Sequence, residues 1–351
     1  MTRPTPRSAG YRMPAEWETQ DAIWLAWPHN PDTWPAARLG QVRQAYLEVI
    51  GALQRDQRVS LIVDDAEAEA DVRARGADLS GVTFFHIPTR DTWIRDYGPT
   101  FVVHAETGRV AMVKWTFNAW GGKYDDLRAD DAVPAGMNGV LSMPVFDAGI
   151  VLEGGSIDVN GAGAVLTTEQ CLLNPNRNPK LSRADLELYL RDYLGAPHVV
   201  WLAEGIVGDD TDGHVDDIAR FADATTVLCA REVDPADENH AILEDNYERL
   251  RSATDQAGRR LRTVTLPMPD PVVGPDGRLP ASYANFYIGN RTVIVPIFGQ
   301  RKDRTALDVV QSCFPRHRVV GVNCTAMVHG LGAVHCCSQQ QPRPVPPRAG
   351  R

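Results

Sequence analysis

Long hydrophobic runs are missing from this sequence of 351 residues. No apolar stretch reaches the roughly 18 residues that a membrane-spanning helix requires, so we expect no transmembrane segment and no membrane partner. The N-terminal residues Met1 to Met13 are basic and Pro-rich, and they contain no apolar core typical of a secretion signal. We therefore expect a cytoplasmic protein.

Basic residues are scarcer than acidic ones, with 36 Lys and Arg against 45 Asp and Glu and a formal net charge of -9. A nucleic-acid-binding protein needs a basic surface, so this balance argues against a nucleic-acid partner. The charge is compatible with a cationic substrate that is attracted over a distance. Taken alone, however, the charge is better explained by ordinary solubility.

Cysteine is used sparingly and never in a C-x-x-C pair. A chain of this length can bury a large core without disulfides, so we interpret most of the thiols as ordinary buried side chains. The adjacent pair near the C-terminus is the exception. The six cysteines are Cys171, Cys229, Cys313, Cys324, Cys336 and Cys337.

Apolar residues alternate between helical and strand-like spacing along the chain. The spacing predicts a helix over Leu39–Leu53, a strand over Arg58–Val63 and a helix over Ala66–Arg75. This alternation predicts an α/β fold. Further helices are expected near Ser182–Leu194, Asn239–Ala257 and Arg304–Cys313.

Five short apolar runs recur at nearly regular intervals. They begin near Val82, Val140, His198, Arg262 and Arg318, so the successive steps are 58, 58, 64 and 56 residues. Self-similarity of this kind indicates a repeated supersecondary unit. Five equal units could be arranged radially, as propeller blades are, although α/β proteins often space their strands semi-regularly.

Polar residues follow four of these runs at similar distances. Asp96 lies 14 residues after the first start and Glu153 lies 13 after the second. His214 and Asp216 lie 16 and 18 residues after the third, and Cys336 lies 18 after the fifth. Radial repeats would bring these equivalent positions together at the centre. We therefore expect an active site there.

Two segments supply candidate carboxylates. Asp96 belongs to the segment Asp91–Pro99, where charged residues stand among aromatic ones. If this segment is buried, Arg95 must be paired with an acid, so Asp96 either binds substrate or forms a structural ion pair. Glu153 precedes two glycines, which allow close approach of backbone or ligand to the acid, although a turn with a solvated glutamate has the same pattern.

The densest acidic cluster is Gly208–Asp217, which contains Asp210. The His214-x-Asp216 spacing would place both side chains on one face of a strand. A carboxylate near a histidine can raise the pKa of the imidazole and hold it as a proton carrier. Metal binding by His214 and the acids is the competing hypothesis, but a metal site normally offers further His or Cys in register.

Cys336 is the candidate nucleophile. A thiolate is reactive once a nearby cation or histidine lowers the pKa of the thiol. Neighbours on a strand face opposite ways, so only one of Cys336 and Cys337 can point to the site. The alternative is a buried cysteine with no chemical role.

A thiol, a histidine and two or three carboxylates suit a planar cation such as guanidinium. Carboxylates accept its N–H groups in a forked, charge-assisted geometry and orient its central carbon towards sulfur. After attack by the thiolate, a histidine can protonate the leaving nitrogen and then activate water. This chemistry releases ammonia and leaves a ureido product.

Ordered motifs along nearly the whole chain resemble the family of agmatine deiminases and Porphyromonas-type peptidylarginine deiminases, within the guanidine-modifying (pentein) superfamily. The motifs that carry the resemblance are Arg12–Glu18, Ala26–Pro28, Trp93–Pro99, Phe117–Gly122, Leu152–Ser156, Gly213–Asp216, and His335-Cys336 followed by Gln339–Pro342.

The resemblance implies a five-bladed α/β propeller with pseudo-fivefold repeats and no metal or organic cofactor. It implies that Cys336 is the nucleophile and that His214 is the general acid and base. It assigns Asp96 and Asp216 to the guanidinium, and Glu153 to the guanidinium or the histidine. Further candidates for substrate binding are Trp93, Arg95, Trp120 and Asp210, with Lys123 and Arg128 nearby in sequence.

Agmatine is the expected substrate, converted to N-carbamoylputrescine and ammonia on a route to polyamines. Deimination of peptidyl-arginine or another small guanidine is the alternative. An amidinotransferase, a non-catalytic guanidine-binding protein and a metal-dependent hydrolase remain further alternatives. We expect one catalytic domain over residues 1–342, a disordered tail over 343–351 and a possible homo-oligomer.

Overall fold

The computed structural model describes residues 4–344, so residues 345–351 of the expected tail lie outside the described residues. The strands are β1 Tyr11–Arg12, β2 Gln20–Ala26, β3 Arg58–Val63, β4 Val82–His86, β5 Thr100–His104, β6 Val110–Thr116, β7 Val145–Val151, β8 Asp158–Val159, β9 Ala164–Thr168, β10 His198–Leu202, β11 Ala219–Phe221, β12 Thr226–Arg231, β13 Arg262–Pro267, β14 Val273–Gly274, β15 Gly277–Arg278, β16 Tyr287–Ile288, β17 Thr292–Ile297, β18 Arg318–Asn323 and β19 Ser338–Pro342. The α-helices are α1 Ala36–Leu53, α2 Ala66–Ala74, α3 Ile94–Tyr97, α4 Ala119–Gly122, α5 Val133–Leu141, α6 Glu169–Leu172, α7 Arg183–Tyr189, α8 His240–Ser252 and α9 Lys302–Cys313.

Five sheets within residues 4–344 repeat one pattern, in which a central strand has an antiparallel neighbour on one side and a parallel neighbour on the other. Strand β1 extends the first sheet, β4 extends the last, and β14 and β15 form a separate hairpin. The repeated sets are β5-β6-β7, β8-β9-β10, β11-β12-β13, β16-β17-β18 and β19-β2-β3.

Each central strand reaches its parallel neighbour through a segment that contains a helix, as parallel pairing requires. The connecting helices are α5, α7, α8, α9 and α1. The last sheet joins the two ends of the described chain, because Ser338 of β19 pairs with Leu25 of β2. The predicted α/β fold is confirmed, whereas the radial arrangement of the units stays a prediction.

Most of the predicted boundaries agree with the structure. Strands begin at Val82, His198, Arg262 and Arg318 as expected. The strand Arg58–Val63 and the helices within Leu39–Leu53, Ala66–Arg75 and Arg304–Cys313 are also present, and α7 continues through a π-helical turn to Leu194. In each of these elements the apolar residues follow either the helical or the strand spacing clearly.

Two predicted elements are wrong in detail. Val140 lies in helix α5, and the second repeat strand begins only at Val145. A short apolar run does not distinguish a strand from the last turn of a helix, and α5 ends at Leu141, followed by Ser142 with left-handed backbone. The helix predicted to Ala257 ends at Ser252, because Ala253 adopts extended backbone.

The buried core contains the large side chains of Trp24, Trp34 and Tyr46, and the same cluster reaches Cys336. A second cluster surrounds β6 and β9 and includes Val113 and Leu190. Among the described residues, none of the helices combines the length and apolarity that a bilayer crossing requires.

A buried ion-pair network joins four of the sheets through Arg220 of β11, whose side chain is fully buried. Its guanidinium lies 3.0 Å from Glu16 Oε2 and 3.1 Å from Asp158 Oδ1, and it donates to the Phe286 carbonyl at 2.6 Å. Glu16 precedes β2, Asp158 lies in β8 and Phe286 precedes β16. This one cation therefore ties together segments that are distant in sequence.

We expect Arg220→Ala to lower the free energy of unfolding by about 3–5 kcal/mol, because it leaves buried Asp158 without its cation and removes one of the cations that hold Glu16. Urea unfolding followed by circular dichroism measures the change. The control is Arg304→Ala, since Arg304 forms an exposed i,i+4 pair with Asp308 and should cost less than about 1 kcal/mol. Equal losses in the two variants would contradict the role of Arg220.

Candidate active site

A cavity of about 400 Å³ contains Cys336 in its wall. Its lining combines polar and aromatic side chains from several sequence-distant segments, as a small-molecule site requires. The lining residues are Asn30, Asp32, Thr33, Asp91, Trp93, Asp96, Trp120, Tyr124, Asp126, Leu127, Asp210, Thr211, His329, Gly330, Leu331 and Cys336.

Cys336 lies in the turn immediately before β19 and is 6 % exposed. The Asn285 amide donates to its Sγ at 3.0 Å, and the Asn285 Oδ1 accepts from the backbone N–H groups of His335 and Cys336. One amide therefore fixes both the thiol and its backbone. Cys337 faces away from the cavity and lies against the Tyr46 hydroxyl.

Burial raises the pKa of the Cys336 thiol well above its ordinary value, and the negative charges of Asp216, Asp217 and Asp96 act in the same direction. Asp216 Oδ2 is 3.8 Å from Cys336 Sγ. The thiol is therefore surrounded by carboxylates, which disfavour a second negative charge until a cation is added.

Asp216 is fully buried and accepts a 2.6 Å hydrogen bond from His335 Nδ1. Burial alone would raise its pKa, but the contact with His335 and the charges of His335, His214 and Arg220 lower it. The neighbouring Asp217 accepts from the Asn285 amide at 3.0 Å, and burial raises its pKa well above the ordinary value.

His214 and Asp96 form a buried pair, with 3.6 Å between His214 Nδ1 and Asp96 Oδ1. Burial lowers the pKa of His214, but Asp96, Cys171 and Asp216 outweigh it and raise the pKa well above its ordinary value. Burial raises the pKa of Asp96 to about 6 against the opposing effect of His214. The imidazole is thereby held as a proton donor near neutral pH.

Glu153 lies directly before a short 3-10 turn, Gly154–Ser156, and is 1 % exposed. Arg177 donates to its Oε1 at 2.7 Å. Its carboxylate also lies within 4.8 Å of the ligand-type atoms of His214 and Cys171. The geometry places Glu153 beside the histidine rather than in the cavity wall.

Gly155 is where the backbone passes closest to the site. A Cβ at this position would lie 2.6 Å from His214 Nδ1, 2.8 Å from Asp96 Oδ1 and 3.1 Å from Asp216 Oδ2. Its N–H also donates to Asp96 Oδ1 at 2.9 Å. Only glycine lets these three side chains meet, which agrees with the close approach expected from the Glu-Gly-Gly sequence.

Trp120 covers the cavity from a strained turn. Ala119 and Trp120 have φ values of 56° and 51°, and two glycines with positive φ follow them. Left-handed backbone is costly for residues with a side chain and is typical of functional turns. It places the indole N–H 2.9 Å from Asp96 Oδ2, while Trp93 forms another part of the wall.

Asp210 lies in the cavity wall, where its Oδ2 accepts from the Tyr124 hydroxyl at 2.5 Å. Burial raises its pKa. Lys123 donates to the backbone carbonyl of Asp210 and to Asp212 Oδ1, at 2.8 Å for the latter. The segments after Trp120 and before His214 are therefore tied together at the cavity.

Two expected contributors are placed elsewhere. Arg95 does not line the cavity, because its buried guanidinium donates to Gln340 Oε1 at 2.7 Å and pairs with Glu16 at 3.4 Å. The structural ion pair considered for its segment is thus made with Glu16 and not with Asp96. Arg128 points away and pairs with Asp125 on the surface.

The predicted strand geometry of His214 and Asp216 is wrong. Val215–Asp217 forms a 3-10 turn, and the two side chains meet around Gly155 instead of sharing a strand face. Acidic side chains bend the backbone before this turn, since Asp209 accepts from the N–H groups of Gly213 and His214. Local side-chain hydrogen bonds compete here with strand formation.

Two sets of side chains lie close enough together to share a metal ion, Glu153 with Cys171 and His214, and Asp216 with Asp217 and Cys336. Both already have protein partners. Arg177 binds Glu153, Asn285 binds Asp217 and Cys336, and His335 binds Asp216. Four of these six side chains are therefore held in place by other side chains of the protein.

A thiol, an imidazole and several carboxylates around one cavity are typical of a cysteine-dependent hydrolase that acts on a cation. Comparison with known proteins identifies the family. Residues 12–342 match the family described as Porphyromonas-type peptidyl-arginine deiminase. The chain belongs to this family, so the resemblance seen in the sequence motifs and the expectation of a deiminase-family enzyme are confirmed.

Several known proteins are similar to this chain over nearly its whole length. The agmatine deiminase of Pseudomonas fluorescens is 38% identical over 365 residues, which cover 97% of this chain and 98% of that protein. The agmatine deiminase of Medicago truncatula is 38% identical over 370 residues, covering 96% and 98%. The structure of the agmatine deiminase of Enterococcus faecalis matches with a TM-score of 0.91 at 36% identity, covering 98% and 99%.

We expect Gly155→Ala to lower kcat/KM for a guanidine substrate by about 100-fold, because the methyl group displaces three site residues at once. The matched control is Gly139→Ala in helix α5, where an added Cβ meets no atom within 4 Å. Steady-state kinetics of the two variants make the comparison. Near-normal kcat/KM in Gly155→Ala would show that the site tolerates the displacement.

Proposed function

We propose that this protein hydrolyses the guanidine group of agmatine, giving N-carbamoylputrescine and ammonia. The full-length relatives and structural neighbours described above are named agmatine deiminases, which supports this substrate. One observation on this chain carries the choice. Within residues 4–344, the cavity lining contains Cys336 and five aspartates but neither lysine nor arginine.

The two ends of agmatine are both cations, whereas free arginine carries a carboxylate beside its amine. A lining of aspartates favours the first molecule and repels the carboxylate of the second. Asp96 and Cys336 mark the guanidine end, and Asp210 marks another part of the same wall. Trp93 and Trp120 provide apolar surface for the methylene chain between the ends.

In this proposal Asp96 and Asp216 hold the guanidinium. Asp216 Oδ1 and Glu153 Oε2 are buried carboxylate oxygens without a hydrogen-bond partner among the described residues. Asp216 Oδ1 is a suitable acceptor for a guanidinium N–H group, and charge-assisted bonds of this kind fix orientation as well as affinity. Glu153 instead lies beside His214. Arg95, which the sequence suggested as a substrate ligand, supports the site from behind through Glu16.

Binding of the guanidinium lets the Cys336 thiol release its proton to solvent, and the resulting thiolate attacks the guanidinium carbon and forms a C–S bond. Protonated His214 gives its proton to one nitrogen, and the C–N bond breaks with release of ammonia. Neutral His214 then takes a proton from water, whose oxygen attacks the same carbon. Collapse of this adduct breaks the C–S bond, regenerates the thiolate and releases the ureido product. The negative charge of Glu153 favours the cationic form of His214 in the step where His214 donates its proton.

The positive charge of the substrate offsets the raised pKa of the Cys336 thiol. The carboxylates that raise the pKa of Cys336 also attract the guanidinium, and a bound cation lowers the pKa of the thiol again. Binding and activation of the nucleophile are therefore coupled. A neutral analogue of the substrate would lack this activation.

We also propose that the five sheets form a five-bladed α/β propeller within one catalytic domain over residues 1–342. The pairing of β19 with β2 supports a closed arrangement, since it joins the last strand to the first unit. A cytoplasmic location, a possible homo-oligomer and the lack of a nucleic-acid partner remain predictions from the sequence.

The first test is formation of a ureido product from agmatine, free arginine and a peptide with a C-terminal arginine. We expect turnover of agmatine, with kcat/KM for the other two lower by more than about 100-fold because their carboxylates are repelled. Cys336→Ala should fold normally and release no product. Preferred turnover of the peptide would establish the alternative substrate, and product from Cys336→Ala would remove the thiol from the mechanism.

A second prediction concerns the substrate amine. We expect Asp210→Asn to raise KM for agmatine about tenfold with little change in kcat, because a charge on the distant end contributes mainly to binding. Asp125→Asn is the matched control, since Asp125 is an exposed acid outside the cavity lining. An unchanged KM in Asp210→Asn, or equal changes in both variants, would contradict the assignment.

A further inference from the structure

His335 lies behind the nucleophile and has no part in the chemistry described above. Its ring is 2 % exposed and stands between two carboxylates. Nδ1 is 2.6 Å from Asp216 Oδ2 and Nε2 is 2.8 Å from Glu16 Oε2. Both ring nitrogens thus face carboxylate oxygens. When these carboxylates are ionised they have no proton to donate and act as hydrogen-bond acceptors only.

An imidazole donates from both nitrogens only when each carries a proton, which makes the ring a cation. Glu16 is held ionised, because Arg220, His335 and Arg95 lower its pKa well below the ordinary range despite its burial. Asp216 is ionised for the same kind of reason. The contacts therefore describe a buried chain of alternating charge that ends 3.8 Å from Cys336 Sγ.

We propose that His335 is a positioning residue, which fixes one oxygen of Asp216 beside Cys336 and balances the negative charge that this carboxylate places on the thiol. The proposal rests on the function given above and assigns a new role within that site. His335 does not touch the cavity, so it acts through Asp216. Its own orientation depends on Glu16 and, through its carbonyl, on Arg95 Nε at 3.3 Å.

Charged groups of both signs lie around this ring. Glu16 and Asp216 contact it directly, and Arg95 contacts its backbone. Arg220 and Asp158 lie one step further, each paired with the other, and Arg220 also with Glu16. Without the imidazolium, Asp216 would face Cys336 with its full charge and without its strongest hydrogen bond.

Replacing His335 with asparagine or glutamine separates the contact with Asp216 from the contact with Glu16. The asparagine nitrogen takes the place of Nδ1 and can still donate to Asp216, whereas the glutamine nitrogen takes the place of Nε2 and reaches Glu16. We expect His335→Asn to retain kcat/KM for agmatine within about tenfold, and His335→Gln to lose about 100-fold, since only the second releases Asp216. Equal losses would overturn the positioning role.

The charge is tested without substrate, by the pH dependence of iodoacetamide alkylation at Cys336, located by mass spectrometry. Both variants lack the imidazolium, so the midpoint should move to higher pH by about one unit, with alkylation about tenfold slower below it. Profiles that coincide with that of the wild type would overturn the charge-balancing role. His198→Gln, which alters a histidine of β10 whose ring is bonded to the Thr254 carbonyl, should change nothing.

Circular dichroism and thermal unfolding verify that each variant is folded. If His335→Gln does not fold, the alkylation profile of His335→Asn decides the matter, because that variant keeps the bond to Asp216 and loses only the charge and the contact with Glu16. Absence of agmatine turnover in the wild type would count against the proposed substrate alone. The alkylation profiles would still decide the role of His335.

Discussion

Burying several carboxylates beside one thiol is the constraint on which the rest of the structure depends. A buried carboxylate is stable only with a cation or several hydrogen bonds. Each acid that faces the reacting centre has such support behind it: Arg177 on Glu153, His335 on Asp216 and His214 with Asp96. Arg220 and Arg95 stabilise the next layer through Glu16. The cations lie away from the cavity, so the cavity side stays negative.

Repetition of one unit gives a simple way to meet this constraint. Asp96, Glu153 and Asp216 follow strands of successive units, and Cys336 follows the last. The remaining unit contributes Asn285, which holds the thiol in place. Each unit thus supplies one group from the same end of its sheet. The segment Gly208–Asp217 carries more charges than the others, and side chains from other segments, Arg177 and His335 among them, hold the carboxylates of the site.

The sequence singled out Asp96, Glu153, His214, Asp216 and Cys336 because they follow apolar runs at similar distances, although the run at Val140 begins in a helix and its strand starts only at Val145. Asn285 was missed because the hairpin β14–β15 lies between it and strand β13. Its distance from the start of that strand is therefore longer than the distances found in the other units. Arg95 was misplaced because sequence shows that an arginine needs a partner but not that Glu16, 79 residues away, provides it. The turn at Val215–Asp217 was not predicted because it depends on hydrogen bonds that the sequence does not show, such as the bond from the His214 N–H to Asp209. Motif spacing therefore finds the chemistry, whereas the supporting contacts depend on tertiary structure.

The one-sided placement of cations also explains how specificity and reactivity are linked. With lysine or arginine in its lining, the cavity would stabilise a thiolate permanently and would also accept carboxylates. The lining of aspartates does neither, so in the proposed reaction the thiol gains its activating charge from the substrate itself. Under this proposal, a molecule that brings no cation to Asp96 and Asp216 binds weakly and leaves Cys336 protonated. Selection of the substrate and activation of the nucleophile are then two consequences of one electrostatic arrangement.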